Sequence, residues 1–117
     1  IPAGGKTSAR AIAKMYAALI GEVDGVRLIS PERLAEATTV SVEGHDEVFG
    51  NEARWGLGYA IAGPSGLDQS ETRFGMGGVG GGGAGADSAI RTSLAVTKNL
   101  LTENFDTSAR IARIVFA

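Results

Sequence analysis

The feature that most constrains this chain is a glycine-rich run, FGMGGVGGGGAGAD, which occupies residues 74–87. Of the thirteen residues after Phe74, only Met76 and Asp87 are not Gly, Ala or Val. Ordering so much glycine is entropically unfavourable, so a folded chain needs a physical reason to keep it. Three roles are open: a loop that cradles a phosphate, a flexible linker, or a strand whose backbone lies close to a neighbour.

The segments around the run favour the strand. Large apolar residues alternate with glycine and alanine over Arg54–Ala62 (RWGLGYAIA), which predicts a strand with one nearly bare face. Further strands are predicted at Phe74–Val79, Gly82–Asp87 and Ile90–Lys98. A linker would carry more serine and other polar residues. No helix follows the run, so no helix N-terminus is available for a phosphate.

Three helices are predicted from their caps and their apolar spacing. The first follows a cap at Thr7 or Ser8 and ends at Ile20. We interpret Met15 and Tyr16 on it as core residues rather than ligand-binding residues. The second begins at Ser30 and ends near Thr38.

The third helix begins at Asp106, which we predict to be its N-cap. The residues of this helix that are predicted to face the core are Ile111, Ile114 and Val115. Residues 41–54 are polar and rich in turn formers, which predicts a loop. His45 in this segment is interpreted as a solvated surface residue, and Gly63–Gly66 (GPSG) as a turn.

Strands clustered between helices, without regular alternation, predict an α+β fold with an antiparallel sheet and packed helices. Residues 1–117 are predicted to form a single unit, with a helical part at 1–40 and strands plus a C-terminal helix at 54–117. The net charge is −2 and no basic run occurs, so nucleic acid is an unfavourable partner. No apolar run is long enough to span a membrane. The chain has no cysteine, and neither a cofactor nor a metal site is predicted.

The segment GGKTS at residues 4–8 resembles the end of a Walker A loop. The full pattern also needs a glycine five positions before Gly5 and a preceding buried strand, which this sequence does not contain. Nucleotide binding therefore remains an alternative, with a ligand-induced rise in Tm as its test. Nucleophile motifs are absent as well: no Ser is followed three residues later by Lys, and no G-x-S-x-G occurs.

Taken in order, three segments resemble one known family. They are GGKTSARAIAKMYAALIGEVDGVRLISPERLAEATT, RWGLGYAI and FGMGGVGGGGAGAD. Together they closely resemble the C-terminal part of serine β-lactamase-related hydrolases, the group of class C β-lactamases, penicillin-binding proteins and family VIII esterases. The resemblance covers nearly the whole chain and implies part of a β-lactamase/transpeptidase-like fold.

The resemblance also implies a site. In this family a strand carries the third catalytic motif, Lys-Thr-Gly or His-x-Gly, and Met76, Gly77 and Gly78 occupy its position here. The following backbone N–H, that of Val79, would then help form an oxyanion hole for a tetrahedral intermediate. Met76 departs from the family pattern, since a thioether neither donates nor carries a proton.

Two aromatic residues are candidates for substrate binding. Trp55 and Tyr59 could line a pocket beside the third-motif strand. Their spacing also suits core packing, which is the interpretation we favour.

The family's Ser-x-x-Lys nucleophile motif lies N-terminal to the matched region and is absent from this sequence. The resemblance thus implies a portion of a serine hydrolase, an esterase or β-lactamase-like acyl-transfer enzyme, that is inactive alone. Its substrate would be a small ester or a β-lactam-like molecule. Either an N-terminal segment or self-association would cover the exposed sheet. The alternative is a non-catalytic remnant of the fold or a binding module.

Overall fold

The chain folds into one six-stranded sheet with helices on both faces. A computed structural model describes residues 5–62 and 70–117. The elements are α1 (Ala9–Ile20), α2 (Pro31–Thr38), β1 (Val42–Asp46), β2 (Asn51–Trp55), β3 (Ala60–Ile61), β4 (Arg73–Gly77), β5 (Gly83–Asp87), β6 (Thr92–Val96) and α3 (Asp106–Val115). The strands lie in chain order and every neighbouring pair is antiparallel. The predicted α+β fold is thereby confirmed.

The helix α1 forms where its cap and apolar stripe predict it. The Ser8 hydroxyl accepts a hydrogen bond from the Ala11 amide at 3.2 Å and satisfies one of the free donors of the first turn. Tyr16 is 4% exposed and belongs to the core, as predicted. Met15 is 42% exposed, so its assignment to the core is wrong; it lies beside the buried stripe.

One face of the sheet packs against α1. Ile61, Phe74 and Ala86 pair across β3, β4 and β5, so strand alternation places all three on this face. On β6, the Ser93 hydroxyl donates to the Ala13 carbonyl of α1 at 2.9 Å. The buried core consists of Tyr16, Leu19, Leu34, Ile61, Phe74 and Ala86.

The opposite face carries a buried ion pair and the C-terminal helix. Arg73 and Asp87 pair across β4 and β5, and Arg73 Nε lies 2.9 Å from Asp87 Oδ2. The Arg73 guanidinium also donates to the Phe116 carbonyl at 2.7 Å and lies 4.7 Å from the centre of its ring. These contacts fasten the end of α3 to the strand β4.

Residues 41–54 are not a loop, because β1 and β2 form a hairpin there. The Asp46 carboxylate accepts the amides of Val48 and Phe49 at 2.8 and 2.9 Å, and Gly50 turns the chain with φ +68°. The β1 residues are almost all exposed, so neither face shows the apolar alternation of a buried strand. His45 is exposed, as predicted, and lies 3.3 Å from Glu52 on β2.

The predicted strand over residues 54–62 is interrupted. The strand β2 ends at Trp55 and β3 begins at Ala60. Between them, a Cβ on Gly56 would overlap the Ala37 carbonyl oxygen, and the Leu57 amide donates to that carbonyl at 2.9 Å. The bare face of this segment therefore packs on the end of α2, which diverts the strand. The turn predicted at 63–66 lies outside the described residues.

The cap and the buried side of α3 differ from expectation. Phe105 holds the cap position, Asp106 is the first helical residue, and no side chain caps this end. Ile114 is 78% exposed and Val115 is 38% exposed. The prediction that these two residues face the core is therefore wrong. The buried residues of α3 are Ser108 and Ala109. Ser108 meets the glycine run through a hydrogen bond from its hydroxyl to the Gly81 carbonyl.

Candidate functional site

The glycine run forms a strand, a tight turn and a second strand. Residues 78–82 connect β4 to β5. The Gly78 amide donates to the Gly82 carbonyl, and the Gly81 amide donates to the Gly78 carbonyl, both at 2.9 Å. The second bond defines a β-turn with Val79 at its second position. Gly81 has φ +79°, a left-handed conformation that glycine adopts without strain.

Val79 presents its backbone N–H at the end of β4. Within the described residues this amide donates no hydrogen bond. The residue as a whole is 82% exposed. An unpaired amide at an accessible turn is a hydrogen-bond donor available to a ligand.

The two strands approach each other through glycine. Gly75 and Gly85 are cross-strand partners. A Cβ on Gly75 would overlap the Ala84 carbonyl oxygen, and one on Gly85 would lie 2.5 Å from the Phe74 carbonyl oxygen. Both obstacles are backbone atoms that cannot rotate away, so the pair admits only glycine. Of the three roles open to the run, close backbone approach is the one that the structure shows.

Met76 is the side chain that β4 presents beside the turn. It pairs with Ala84 across β5 and shares the α1 face of the sheet with Phe74. The residue is 43% exposed, and a thioether supplies no proton donor and no charge. Neither Gly77 nor Gly78 has a side chain that could supply these groups. No cluster of three potential metal ligands occurs within residues 5–62 and 70–117.

Trp55 and Tyr59 are not brought together at the turn. The Tyr59 ring packs edge-on against Phe74, with 5.2 Å between ring centres, and lies 6.2 Å from the Tyr16 ring. Trp55 pairs with Ala60, whose partner on β4 is a glycine on the face opposite Phe74. The register therefore separates Trp55 from the face that carries Met76.

A family model described as Beta-lactamase matches residues 2–117. The chain belongs to the Beta-lactamase family. This confirms the resemblance that the ordered sequence segments indicate. No curated protein sequence matches the chain significantly.

Two solved structures resemble this β-lactamase-family chain. A family VIII carboxylesterase is 29% identical with a TM-score of 0.82, and the match covers 92% of this chain and 31% of that one. A penicillin-binding protein homologue from Caulobacter crescentus is 31% identical with a TM-score of 0.77, covering 87% and 29%. The chain thus spans about a third of the length of these relatives. The β-lactamase/transpeptidase-like fold is confirmed.

Two titratable groups of this β-lactamase-family chain are strongly influenced by burial. Burial, together with the nearby Tyr59, raises the pKa of Tyr16 to about 12, so its hydroxyl is neutral at physiological pH. Burial also raises the pKa of Asp87, but hydrogen bonds from Thr72, Arg73 and two backbone amides outweigh it and hold the pKa below its usual value. Asp87 is therefore a carboxylate in the folded chain.

Sequence reasoning did not find the buried role of Arg73 or that of Ser108. Arg73 follows a polar stretch, and only the pairing with β5 shows that it lies opposite Asp87. Ser108 is in the first turn of α3, where serine is common for local reasons, and its partner is 27 residues away.

The Walker-like segment forms the entry to α1. Lys6 and Thr7 are exposed, and Ser8 serves as the cap of the helix. Gly4 lies outside the described residues. No helix in the described part of the chain is both long and apolar enough to cross a bilayer.

Proposed function

We propose that this chain supplies one wall and one oxyanion donor of a serine-hydrolase site. The wall is β4 with the turn at 78–82, and the donor is the Val79 N–H. The observation that carries the proposal is this amide, which is unpaired among the described residues and belongs to an exposed residue just beyond the end of β4. Membership of the Beta-lactamase family supports the proposal, since by resemblance we expect Met76, Gly77 and Gly78 to occupy the position of that family's third motif.

The chemistry proposed is acyl transfer. A serine hydroxyl attacks the carbonyl carbon of a small ester or β-lactam-like substrate, and negative charge develops on the carbonyl oxygen. A fixed backbone N–H stabilises that charge without any reorganisation of the site, and one such donor contributes about 2.7–4 kcal/mol in other enzymes. The glycines at 77 and 78 leave room for the substrate to approach the backbone. The esterase reading rests on a relative that is itself a family VIII carboxylesterase.

The nucleophile must come from outside these 117 residues, because none of the serines here is followed three residues later by lysine. We propose that a further polypeptide segment brings it, joined to this chain or associated with it. The outer edge of β6 supports this idea, since in the described part of the chain β6 is the last strand of the sheet and pairs with β5 alone. An open edge favours pairing with another strand, either from such a segment or from a second copy.

A covalent probe tests whether the nucleophile lies outside these 117 residues. We expect the 117-residue chain, with a calculated mass of 11.9 kDa, to form no adduct with a fluorophosphonate in an intact-mass measurement. A polypeptide that joins this chain to a segment with Ser-x-x-Lys should gain one adduct. An adduct on the 117 residues alone would place the nucleophile within them and contradict the proposal.

A second experiment removes the Val79 N–H by substitution with proline, which has no backbone N–H. Val79 holds the second position of its β-turn, which is where proline fits best, so Val79→Pro should fold normally. In a polypeptide that reacts, Val79→Pro should lower kcat for a nitrophenyl ester about 100-fold, as the loss of an oxyanion donor does elsewhere. The matched control is Val79→Ala, which keeps the N–H and should change kcat less than two-fold. Equal activity of the two variants would remove Val79 from the site.

The second candidate function is a non-catalytic binding module on the same scaffold. The observation that favours it is Met76, which offers no proton donor where the family has Lys or His. This alternative predicts no adduct even when the Ser-x-x-Lys segment is present. The probe experiment therefore separates the two candidates.

A further inference from the structure

The turn at 78–82 is contacted by residues 101–108, which comprise the segment before α3 and the first residues of that helix. The Ser108 hydroxyl donates to the Gly81 carbonyl at 2.5 Å, and the Thr102 amide donates to the Gly80 carbonyl at 3.2 Å. Leu101 covers Gly80, since a Cβ there would lie 2.6 Å from the Leu101 side chain. The outer side of the turn thus rests on three contacts with one segment.

Of these contacts, the one from Ser108 is the best placed to fix the turn. Ser108 is 8% exposed and is part of a regular helix, so its hydroxyl has a defined position. Gly81 is the turn residue with the left-handed backbone, and its amide closes the β-turn that presents Val79. The Gly80–Gly81 peptide supplies the amide that closes the turn, and the Gly81–Gly82 peptide follows it. A hydrogen bond to the Gly81 carbonyl therefore restrains the peptide group directly after the one that closes the turn.

Glycine makes such a restraint necessary. Residues 80–83 are all glycine, and a glycine backbone populates many conformations unless contacts select one. No side chain of the turn at 78–82 other than that of Val79 is available to make those contacts, and Val79 is exposed. The selection must come from outside, and Ser108 supplies a buried hydroxyl for it.

We propose that Ser108 is a positioning residue for the Val79 amide: its hydroxyl bond to the Gly81 carbonyl holds the glycine turn in the conformation that presents this N–H. The proposal rests on the proposed oxyanion role for its functional meaning. Its structural content, an ordered turn that depends on Ser108, stands apart from activity. Ser108 acts through the turn and touches no reacting atom.

The variants are Ser108→Ala, Ser108→Thr and a matched control, Ser93→Ala. Ser93 also donates its hydroxyl to a distant backbone carbonyl, that of Ala13 on α1, at 2.9 Å, and it is half-buried. Within the described residues, Ser93 makes no hydrogen bond to the turn at 78–82. Ser93→Ala and Ser108→Ala therefore each remove one hydrogen bond from a hydroxyl to a distant carbonyl. Only Ser108→Ala removes a bond to the turn at 78–82.

The decisive measurement is amide hydrogen exchange by NMR in the 117-residue chain, at a denaturant concentration where all variants are fully folded. We expect the Gly78 and Gly81 amides to exchange at least 10-fold faster in Ser108→Ala than in the wild type, and Ser108→Thr to restore protection. Ser93→Ala should leave these two amides within two-fold of wild type. Equal exchange in Ser108→Ala and Ser93→Ala would overturn the proposal.

In a polypeptide that hydrolyses esters, Ser108→Ala should lower kcat about 10-fold while KM changes less than two-fold, because only the oxyanion donor is misplaced. An inactive wild type would sink the proposed function, yet the exchange result would still decide the role of Ser108. Rapid exchange in Ser108→Ala combined with unchanged kcat would refute the link between turn and catalysis.

Discussion

Two hairpins of the sheet carry the same type of cross-strand ion pair in different surroundings. Arg73 faces Asp87 across β4 and β5, while Arg54 faces Glu43 across β1 and β2. The Nε–O distances are nearly equal, 2.9 and 3.0 Å. The side chains of the first pair are 12% and 4% exposed, whereas those of the second are 33% and 63% exposed.

The partners around the two pairs differ as well. Asp87 receives hydrogen bonds from Thr72, Arg73 and the Ala89 amide, so its oxygens are fully engaged. Arg54 Nε lies near Glu43, but at an angle that makes no hydrogen bond. The two pairs therefore differ in energy although their distances are nearly equal. Removing one partner of a buried pair lowers the free energy of unfolding strongly, whereas removing one partner of a solvent-exposed pair lowers it only slightly.

Glycine also serves the two hairpins in different ways. On β4 and β5, Gly75 and Gly85 are needed because backbone atoms occupy the space of a side chain. In the β1–β2 hairpin, Gly50 has open space around it but a φ of +68°. In the β4–β5 hairpin, glycine lets the two backbones lie close together. In the β1–β2 hairpin, glycine allows the backbone to adopt a positive φ angle.

The largest expected effect comes from removing the buried carboxylate. Asp87→Ala should lower the free energy of unfolding by about 3–5 kcal/mol, because it removes the buried carboxylate that accepts hydrogen bonds from Arg73, Thr72 and the Ala89 amide. The corresponding change in the other hairpin, Glu43→Ala, should cost about 0–1 kcal/mol. Urea unfolding at pH 7 measures both. Similar losses for the two variants would show that burial does not distinguish the pairs.

A smaller loss is expected from filling the close approach of β4 and β5. Gly75→Ala should cost about 2–3 kcal/mol, since its Cβ meets the Ala84 carbonyl and lies 2.7 Å from the Gly85 Cα. Gly50→Ala should cost about 1 kcal/mol from backbone strain alone. The same urea titration compares them. If Gly50→Ala proved the more damaging, the proximity argument would be wrong.

The decrease in stability at acidic pH should depend on Asp87. Because its pKa is lowered in the folded chain, this group contributes stability above its unfolded pKa of about 3.9, and the contribution is lost as pH falls through the folded value. Asp87→Asn should flatten the dependence of Tm on pH below about pH 4. The pKa of Asp46 is also lowered, by the amides of Phe49 and Val48. Because solvent weakens such contacts on the exposed hairpin, Asp46→Asn should flatten the dependence less than Asp87→Asn does. An unchanged decrease in stability at acidic pH in Asp87→Asn would contradict the assignment.

The smallest effect is expected at the tip of the exposed hairpin. Phe49 is 74% exposed, so Phe49→Ser should change the free energy of unfolding by less than about 0.5 kcal/mol. Thermal unfolding followed by circular dichroism is sufficient to measure it. A loss above about 1 kcal/mol would indicate that this aromatic ring is packed in solution.

Local chemistry explains what could be predicted without a structure. The caps Ser8 and Ser30 each bond an amide three residues ahead, so the starts of α1 and α2 are encoded within one turn. The strands β4, β5 and β6 carry enough small and β-branched residues to be recognised. The order of three sequence segments indicated the family, and the family match confirms that resemblance.

The hairpin β1–β2 escaped prediction for a physical reason. Its strand faces are solvated, and its turn is made by the Asp46 carboxylate, so hydrophobic alternation never marks it. The break at Gly56 escaped for another reason. The obstacle that diverts the strand is the Ala37 carbonyl, which belongs to a different element.

The sequence by itself determined the class of fold, the helix starts, the glycine strands and the family. Each of these depends on neighbours within a few residues or on the order of segments. Only the tertiary structure decided that Arg73 is buried against Asp87, that Ser108 reaches Gly81, and that the Val79 amide is unpaired among the described residues. The first two features join residues 14 and 27 positions apart, and pairing at that range is set by packing rather than by local propensity.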